Sequence, residues 1–175
     1  MSLSPPVDDD TTALARQVGQ ALLSAGLKVV TAESCTGGGV AAALTDVPGS
    51  SQWFERGYVT YSNAAKLQDL HIEPAALERL GAVSAGVVGQ MAAGALRASG
   101  ADIAVAVSGI AGPDGGTADK PVGLVFLAVL RRGEAVRVVH MRYPGDRAAV
   151  RHAAVVDALG LILQAATPGG FNVVR

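Results

Sequence analysis

The chain holds a single cysteine, Cys35, in 175 residues. That excludes an internal disulfide and a zinc site built from several thiolates. Aromatic residues are scarce too, with three Tyr, three Phe and one Trp, so the core must be assembled from closely packed Val, Leu, Ile and Ala. Neither sign of charge dominates. Fourteen Lys and Arg stand against fifteen Asp and Glu, a formal net charge of −1, without the basic footprint of a nucleic-acid binder. No continuous apolar run nears the ~20 residues that span a bilayer. The opening MSLSPPVDDD is polar and acidic, the opposite of a secretion signal. Histidines and carboxylates do not recur at ligand spacing, so no metal is expected. What is left is the expectation of a soluble, cytoplasmic, single globular domain with no nucleic-acid or membrane partner.

Small residues are what the chain has in excess: 32 alanines and 22 glycines, within 50% hydrophobic residues overall. Its length suits one core. Residues 1–10 read as a loose tail, 11–166 as the domain and 167–175 as a second tail. Asp10-Thr11-Thr12 can cap a helix with Leu14, Val18 and Leu22 on one face, which Gly26 ends. Strands are predicted over 27–32, 56–61 and 101–107, and a hairpin over 122–130 and 135–142. Helices are predicted from Val40 to Leu44, over 64–70 and 74–80, from a Ser84 cap to Ser99, and from Pro144-Gly145-Asp146 to Ala166. Strands and helices alternate early and the hairpin comes late. The pattern predicts an α/β fold, a three-layer α/β/α sandwich around a mixed sheet.

Four places could carry chemistry. Glu33-Ser34-Cys35-Thr36-Gly37-Gly38 joins a strand to a helix start, whose unpaired N–H groups suit a phosphate or an oxyanion. It is neither a P-loop nor a GxGxxG turn, and it reads equally as a capped helix with glycines for packing. Ser34 is then either the cap or a nucleophile in need of a base, and Cys35 either a rival nucleophile or packing. His71, His140 and His152 lie beside no such turn and read as surface residues. Lys66 falls in the first turn of a helix capped by Ser62 or Asn63, the wrong end of the dipole for a cation. It is either a base of lowered pKa or a solvated lysine. Residues 108–121 form a long glycine- and proline-rich loop after a buried strand, the position of a ligand loop. Arg147, at the last helix start, can pair with a phosphate or carboxylate, or stand solvated beside an Asp146 cap.

Read together, TAESCTGG (31–38), LTDVPGSS (44–51), GYVTYSNAAK (57–66), GAVS (81–84), AVSGIAGPDGGTADKPVG (106–123) and YPGDR (143–147) resemble the CinA C-terminal domain family. The resemblance runs from about residue 12 to 166. It implies a five-stranded mixed sheet and a hydrolase of the carboxamide of nicotinamide mononucleotide (NMN), in pyridine nucleotide salvage, without a cofactor. The family uses lysine where other serine hydrolases use histidine. Ser34 matches its nucleophile, Lys66 its base and Tyr61 its supporting tyrosine, as a proton relay or a holder of Lys66. Cys35, Thr36, Gly37 and Gly38 would offer backbone N–H groups to substrate. Ser108, where many relatives have threonine, and Gly109 would position substrate, and Arg147 would contact it. Larger members carry a further N-terminal domain resembling molybdopterin-binding proteins, so the stand-alone form is expected, as a homo-oligomer. Trp53 and Phe54, after the Pro48-Gly49 break, read as a dimer anchor or as core. Two other functions stay open: a non-catalytic nucleotide-binding or regulatory module linked to competence or DNA damage, and an amidohydrolase of another substrate. Retention of Ser34, Tyr61 and Lys66 together argues against the module.

Overall fold

In the computed structural model, residues 10–167 and Gly169 are described, so the two expected tails fall almost entirely outside the described residues. The order is α1 (Asp10–Ala25), β1 (Val29–Glu33), α2 (Gly39–Thr45), β2 (Phe54–Val59), α3 (Asn63–Leu70), α4 (Pro74–Leu80), α5 (Ala85–Ser99), β3 (Ile103–Gly109), β4 (Leu124–Arg131), β5 (Arg137–Arg142) and α6 (Arg147–Ala166). A single 3-10 turn, Ser50–Gln52, precedes β2 among the described residues. The five strands form one mixed sheet in the order β2-β1-β3-β4-β5. Strands β1, β2 and β3 run parallel, and β4 is antiparallel to both of its neighbours.

Helix starts follow the polar punctuation. Ser62 Oγ accepts the Ala65 N–H (3.0 Å), Ser84 Oγ the Val87 N–H (3.3 Å) and Asp146 Oδ1 the Ala149 N–H (2.9 Å). Each satisfies a donor that the helix leaves unpaired. Pro74 opens α4, where its missing N–H removes no bond. All five strands start two residues from expectation, β2 earlier and the other four later. Asp102 accepts the Lys28 N–H at 2.9 Å, which makes 101–102 a corner and delays β3 to Ile103. The strand then continues to Gly109, because Ser108 and Gly109 pair with Phe126 and Val125. β2 starts early, at Phe54, which lies opposite Val29.

Alternate strand residues face opposite layers. Val29, Ile103, Val105, Val107, Val125, Leu127 and Val129 pack with α1, α2 and α6. The other face offers Val30, Ala32, Ala104, Ala106 and Ala128 to the layer of α3, α4 and α5. That alanine floor goes with close helix approach: a Cβ on Gly94 of α5 would lie 2.1 Å from the Leu70 carbonyl oxygen. Glycine is therefore required there, despite costing a helix about 1 kcal/mol relative to alanine. On the opposite side Trp53 is 3% exposed, seated against Gly19 of α1, where a Cβ would come within 2.7 Å of the indole. Trp53 is thus core, and its reading as a dimer anchor is overturned.

At 20 residues, α6 is long and apolar enough to cross a membrane by length and composition alone. Here Val150, Ala154, Ala158 and Ile162 are buried against α1 and the sheet. At the end of β4, Arg131 donates to the Ala165 carbonyl of α6 (3.1 Å). Its neighbour Arg132 donates to Leu96 O of α5 (3.3 Å) and to Ala101 O (2.6 Å).

Candidate active site

Strands β1, β2 and β3 end at the same edge of the sheet, where open α/β sheets place their ligands. Ser34 leaves β1 there, its N–H still bonded to Val107 O at 2.9 Å. The chain then turns through Gly37 (φ 62°) and Gly38 (φ 93°), left-handed values that side chains disfavour, and enters α2. Glu33 holds this turn. Its fully buried carboxylate accepts Thr36 Oγ1 (2.7 Å), Gly38 N (3.1 Å) and Val40 N (3.0 Å) on one oxygen and Ala41 N (2.9 Å) on the other. An anion on three amides at a helix start is a strong cap. Glu33, not Ser34, caps α2, and the Ser34 hydroxyl is left for other work.

Lys66 is the fourth residue of α3 and is 1% exposed. Its Nζ lies 3.1 Å from Ser34 Oγ and donates to Thr60 O at 2.7 Å. Among the described residues no carboxylate pairs with it. Burial holds its pKa below the ordinary lysine value, with the nearby Cys35 sulfur acting in the opposite direction. The solvated-lysine reading is excluded by this geometry. Cys35 is 5% exposed, and burial pushes its thiol up to about 11. It is a thiol at neutral pH and a poor rival to Ser34.

Side chains at 35 and 36 face inward, so this turn offers backbone. Gly37 N donates to Ser34 O (3.0 Å) and Gly38 N to Glu33. Among the described residues, the N–H groups of Cys35 and Thr36 donate to no carbonyl or carboxylate.

A second pair stands at the rim. Arg147 donates through Nη1 to Gly112 O (3.0 Å) and through Nη2 to Tyr61 Oη (2.8 Å). Tyr61 is 58% exposed and bonds to Arg147, not to Lys66. Tyr61 precedes the Ser62 cap, whereas Lys66 sits a full turn later on the inner face of α3. The expected hold of Tyr61 on Lys66 is therefore absent. Ser108 is 1% exposed and donates to Ala82 O at 2.8 Å, tying β3 to the α4–α5 connection. Gly109 is demanded by the sheet, since a Cβ there would meet Leu124 O at 2.8 Å. The loop after β3 is anchored by Lys120 Nζ on Leu80 O (2.6 Å). His71, His140 and His152 are exposed, as expected.

A cavity of about 500 Å³ opens beside Arg147, lined also by Ala111, Gly112, Pro113, Gly145 and Arg151. Ser34 and Lys66 do not line it. Arg151 was not singled out from sequence. It donates through Nε to Cys35 O (3.1 Å) and through Nη2 to Thr36 O (2.9 Å), reaching the Ser34 turn from α6. The available signal was its spacing, four residues after Arg147 and so on the same helix face.

Known proteins resemble this chain in sequence and in fold. The model of the CinA C-terminal domain matches residues 11–166. The chain is 52% identical over 151 residues to nicotinamide-nucleotide amidohydrolase PncC of Enterobacter agglomerans, covering 86% of this chain and 92% of that protein. To the PncC of Pseudomonas putida it is 53% identical over 161 residues, with 91% and 99% covered. The crystal structure of the competence/damage inducible protein CihA of Agrobacterium tumefaciens superposes with a TM-score of 0.89 at 47% identity, over 95% of this chain and 100% of that one.

Proposed function

The chain belongs to the CinA C-terminal domain family, and on that premise we propose that it is a nicotinamide-nucleotide amidohydrolase. It converts the carboxamide of NMN to the carboxylate of nicotinate mononucleotide with release of ammonia, a step of pyridine nucleotide salvage. The observation that carries the reading is the 3.1 Å contact between Ser34 Oγ and the Nζ of a buried lysine that has no counter-ion among the described residues. An ammonium has three N–H donors and finds two acceptors here. A neutral amine donates to Thr60 O and receives the Ser34 hydroxyl on its lone pair. Burial favours the neutral form, which is the form a general base needs.

Ser34 Oγ attacks the amide carbon while its proton passes to Lys66. The carbonyl electron pair moves onto oxygen, where the N–H groups of Cys35 and Thr36 receive it. One such donor contributes about 3–4 kcal/mol in other hydrolases. Lys66 returns the proton to the amide nitrogen as the C–N bond breaks and ammonia leaves. Water then enters by the same pair and cleaves the acyl-serine to carboxylate. The proton path runs from Ser34 to Lys66 directly, with Tyr61 outside it. Arg147 takes the phosphate as a charged donor at the rim.

The test is ammonia release, with appearance of nicotinate mononucleotide, when purified protein is incubated with NMN. No ammonia at high protein concentration, with NMN still bound, would instead establish a non-catalytic binding module. Ammonia from other amides but not from NMN would retain the chemistry and discard the substrate.

A further inference from the structure

Arg151 is tied to the nucleophile turn by two hydrogen bonds that cross 116 and 115 residues of chain. Its acceptors are the carbonyls of Cys35 and Thr36, the residues that follow Ser34. The Cys35–Thr36 peptide is trans, and in a planar trans peptide the N–H points opposite to the C=O. Gripping Cys35 O from α6 therefore fixes the direction of the Thr36 N–H, on the side of the turn away from Arg151. The bond to Thr36 O stops the next peptide from rotating, and that peptide's N–H, on Gly37, is already bonded to Ser34 O. Thr36 N–H is thus held in place and left without a protein acceptor among the described residues. A cation on the carbonyl side of a peptide also polarises it and makes its N–H a stronger donor.

We infer that Arg151 is a positioning residue for the hydrolysis: it aligns and polarises the Thr36 N–H as an oxyanion donor, and touches neither substrate nor base. The inference rests on the amidohydrolase reading. It separates Arg151 from Arg147, although both line the same cavity and lie one helical turn apart. Arg147 spends its guanidinium on the rim, Arg151 on the turn.

The test uses Arg151→Gln and Arg151→Lys in the full chain, with NMN and its thioamide analogue. Sulfur accepts hydrogen bonds more weakly than oxygen, so the amide-to-thioamide rate ratio reports on the oxyanion donor. For Arg151→Gln the expected result is a kcat loss of thirtyfold or more, KM within threefold of wild type, and a ratio reduced at least threefold. Arg151→Lys should recover only part of the loss, because an ammonium lacks the planar fork that reaches two carbonyls. The midpoint of the pH–rate profile should stay in place, since Lys66 keeps its surroundings. Three results would overturn the inference: a kcat within threefold of wild type, a rise in KM that carries the whole effect, or a kcat loss with the ratio unchanged. The last would assign Arg151 a merely structural role. Wild-type protein inert toward every amide would instead remove the reading beneath it, so the two failures are distinguishable.

Discussion

Two hydrogen-bonded pairs stand at the same sheet edge, and they differ mainly in their contact with water. Ser34 and Lys66 meet with Lys66 1% exposed and Ser34 half-buried, whereas Tyr61 and Arg147 meet at a rim where Tyr61 is 58% exposed. The bond lengths are close, 3.1 and 2.8 Å. The consequences are not. In the buried pair desolvation pulls the lysine pKa down, which on the proposed reading suits it to act as a base. In the wet pair solvent screens the charge, so the contact holds a side chain in place and changes its chemistry little. On the proposed function, burial separates a reacting pair from a recognising one.

The comparison is broken most severely at the nucleophile. Ser34→Ala should abolish ammonia release while leaving NMN binding within a few-fold by calorimetry, and Cys35→Ala should keep substantial activity. The opposite pattern would transfer the chemistry to the thiol.

Lys66→Arg comes next. It keeps a positive charge of similar reach but cannot lose a proton near neutrality. A kcat loss well beyond tenfold is expected, and retention above a tenth of wild type, a barrier change below ~1.4 kcal/mol, would make Lys66 an anchor. In wild type the rate should rise with pH through one ionisation below the ordinary lysine pKa of 10.5. Stability has the same sign. The folded chain binds fewer protons at Lys66 than the unfolded chain does, so unfolding free energy rises with pH between the lowered folded pKa and the unfolded value. Lys66→Met should remove that slope in denaturant titrations.

Arg147→Ala should act mainly on KM for NMN, by about 1.5–3 kcal/mol, with little effect on kcat. Nicotinamide riboside lacks the phosphate and should be insensitive. An equal loss on both substrates would move Arg147 away from the phosphate.

The smallest effect is expected of Tyr61→Phe, which removes one acceptor from a solvent-exposed arginine: a few-fold rise in KM. A kcat loss approaching that of Lys66→Arg would return the phenol to the proton path and erase the distinction between the pairs.

The fold was legible because punctuation is local. Ser62, Ser84 and Asp146 announce helix starts, and Gly26 and Gly100 announce ends, through backbone groups a few residues away. The sheet order was not, since nothing local in β3 states that it lies between β1 and β4. The same limit governs the site. Ser34 and Lys66 could be singled out, but the fully buried Glu33 looked like any polar turn residue until its four donors were in place. Trp53 is buried because Gly19, far away in sequence, leaves a slot for it. Tyr61 and Arg147 meet across 86 residues, a pairing no spacing rule reports.

At the far end of the sheet, Arg131 and Arg132 are neighbours in the chain, yet they bond to helices in opposite layers, at Ala165 and at Leu96. Successive side chains at a strand end point to opposite sides, so one short stretch of backbone laces both helical layers to the hairpin. The last turns of α5 and α6 are thereby tied to adjacent residues of one strand end, α6 through Arg131 and α5 through Arg132. Amides of those two helix ends are therefore expected to show matched protection in hydrogen exchange, as parts of one cooperative unit.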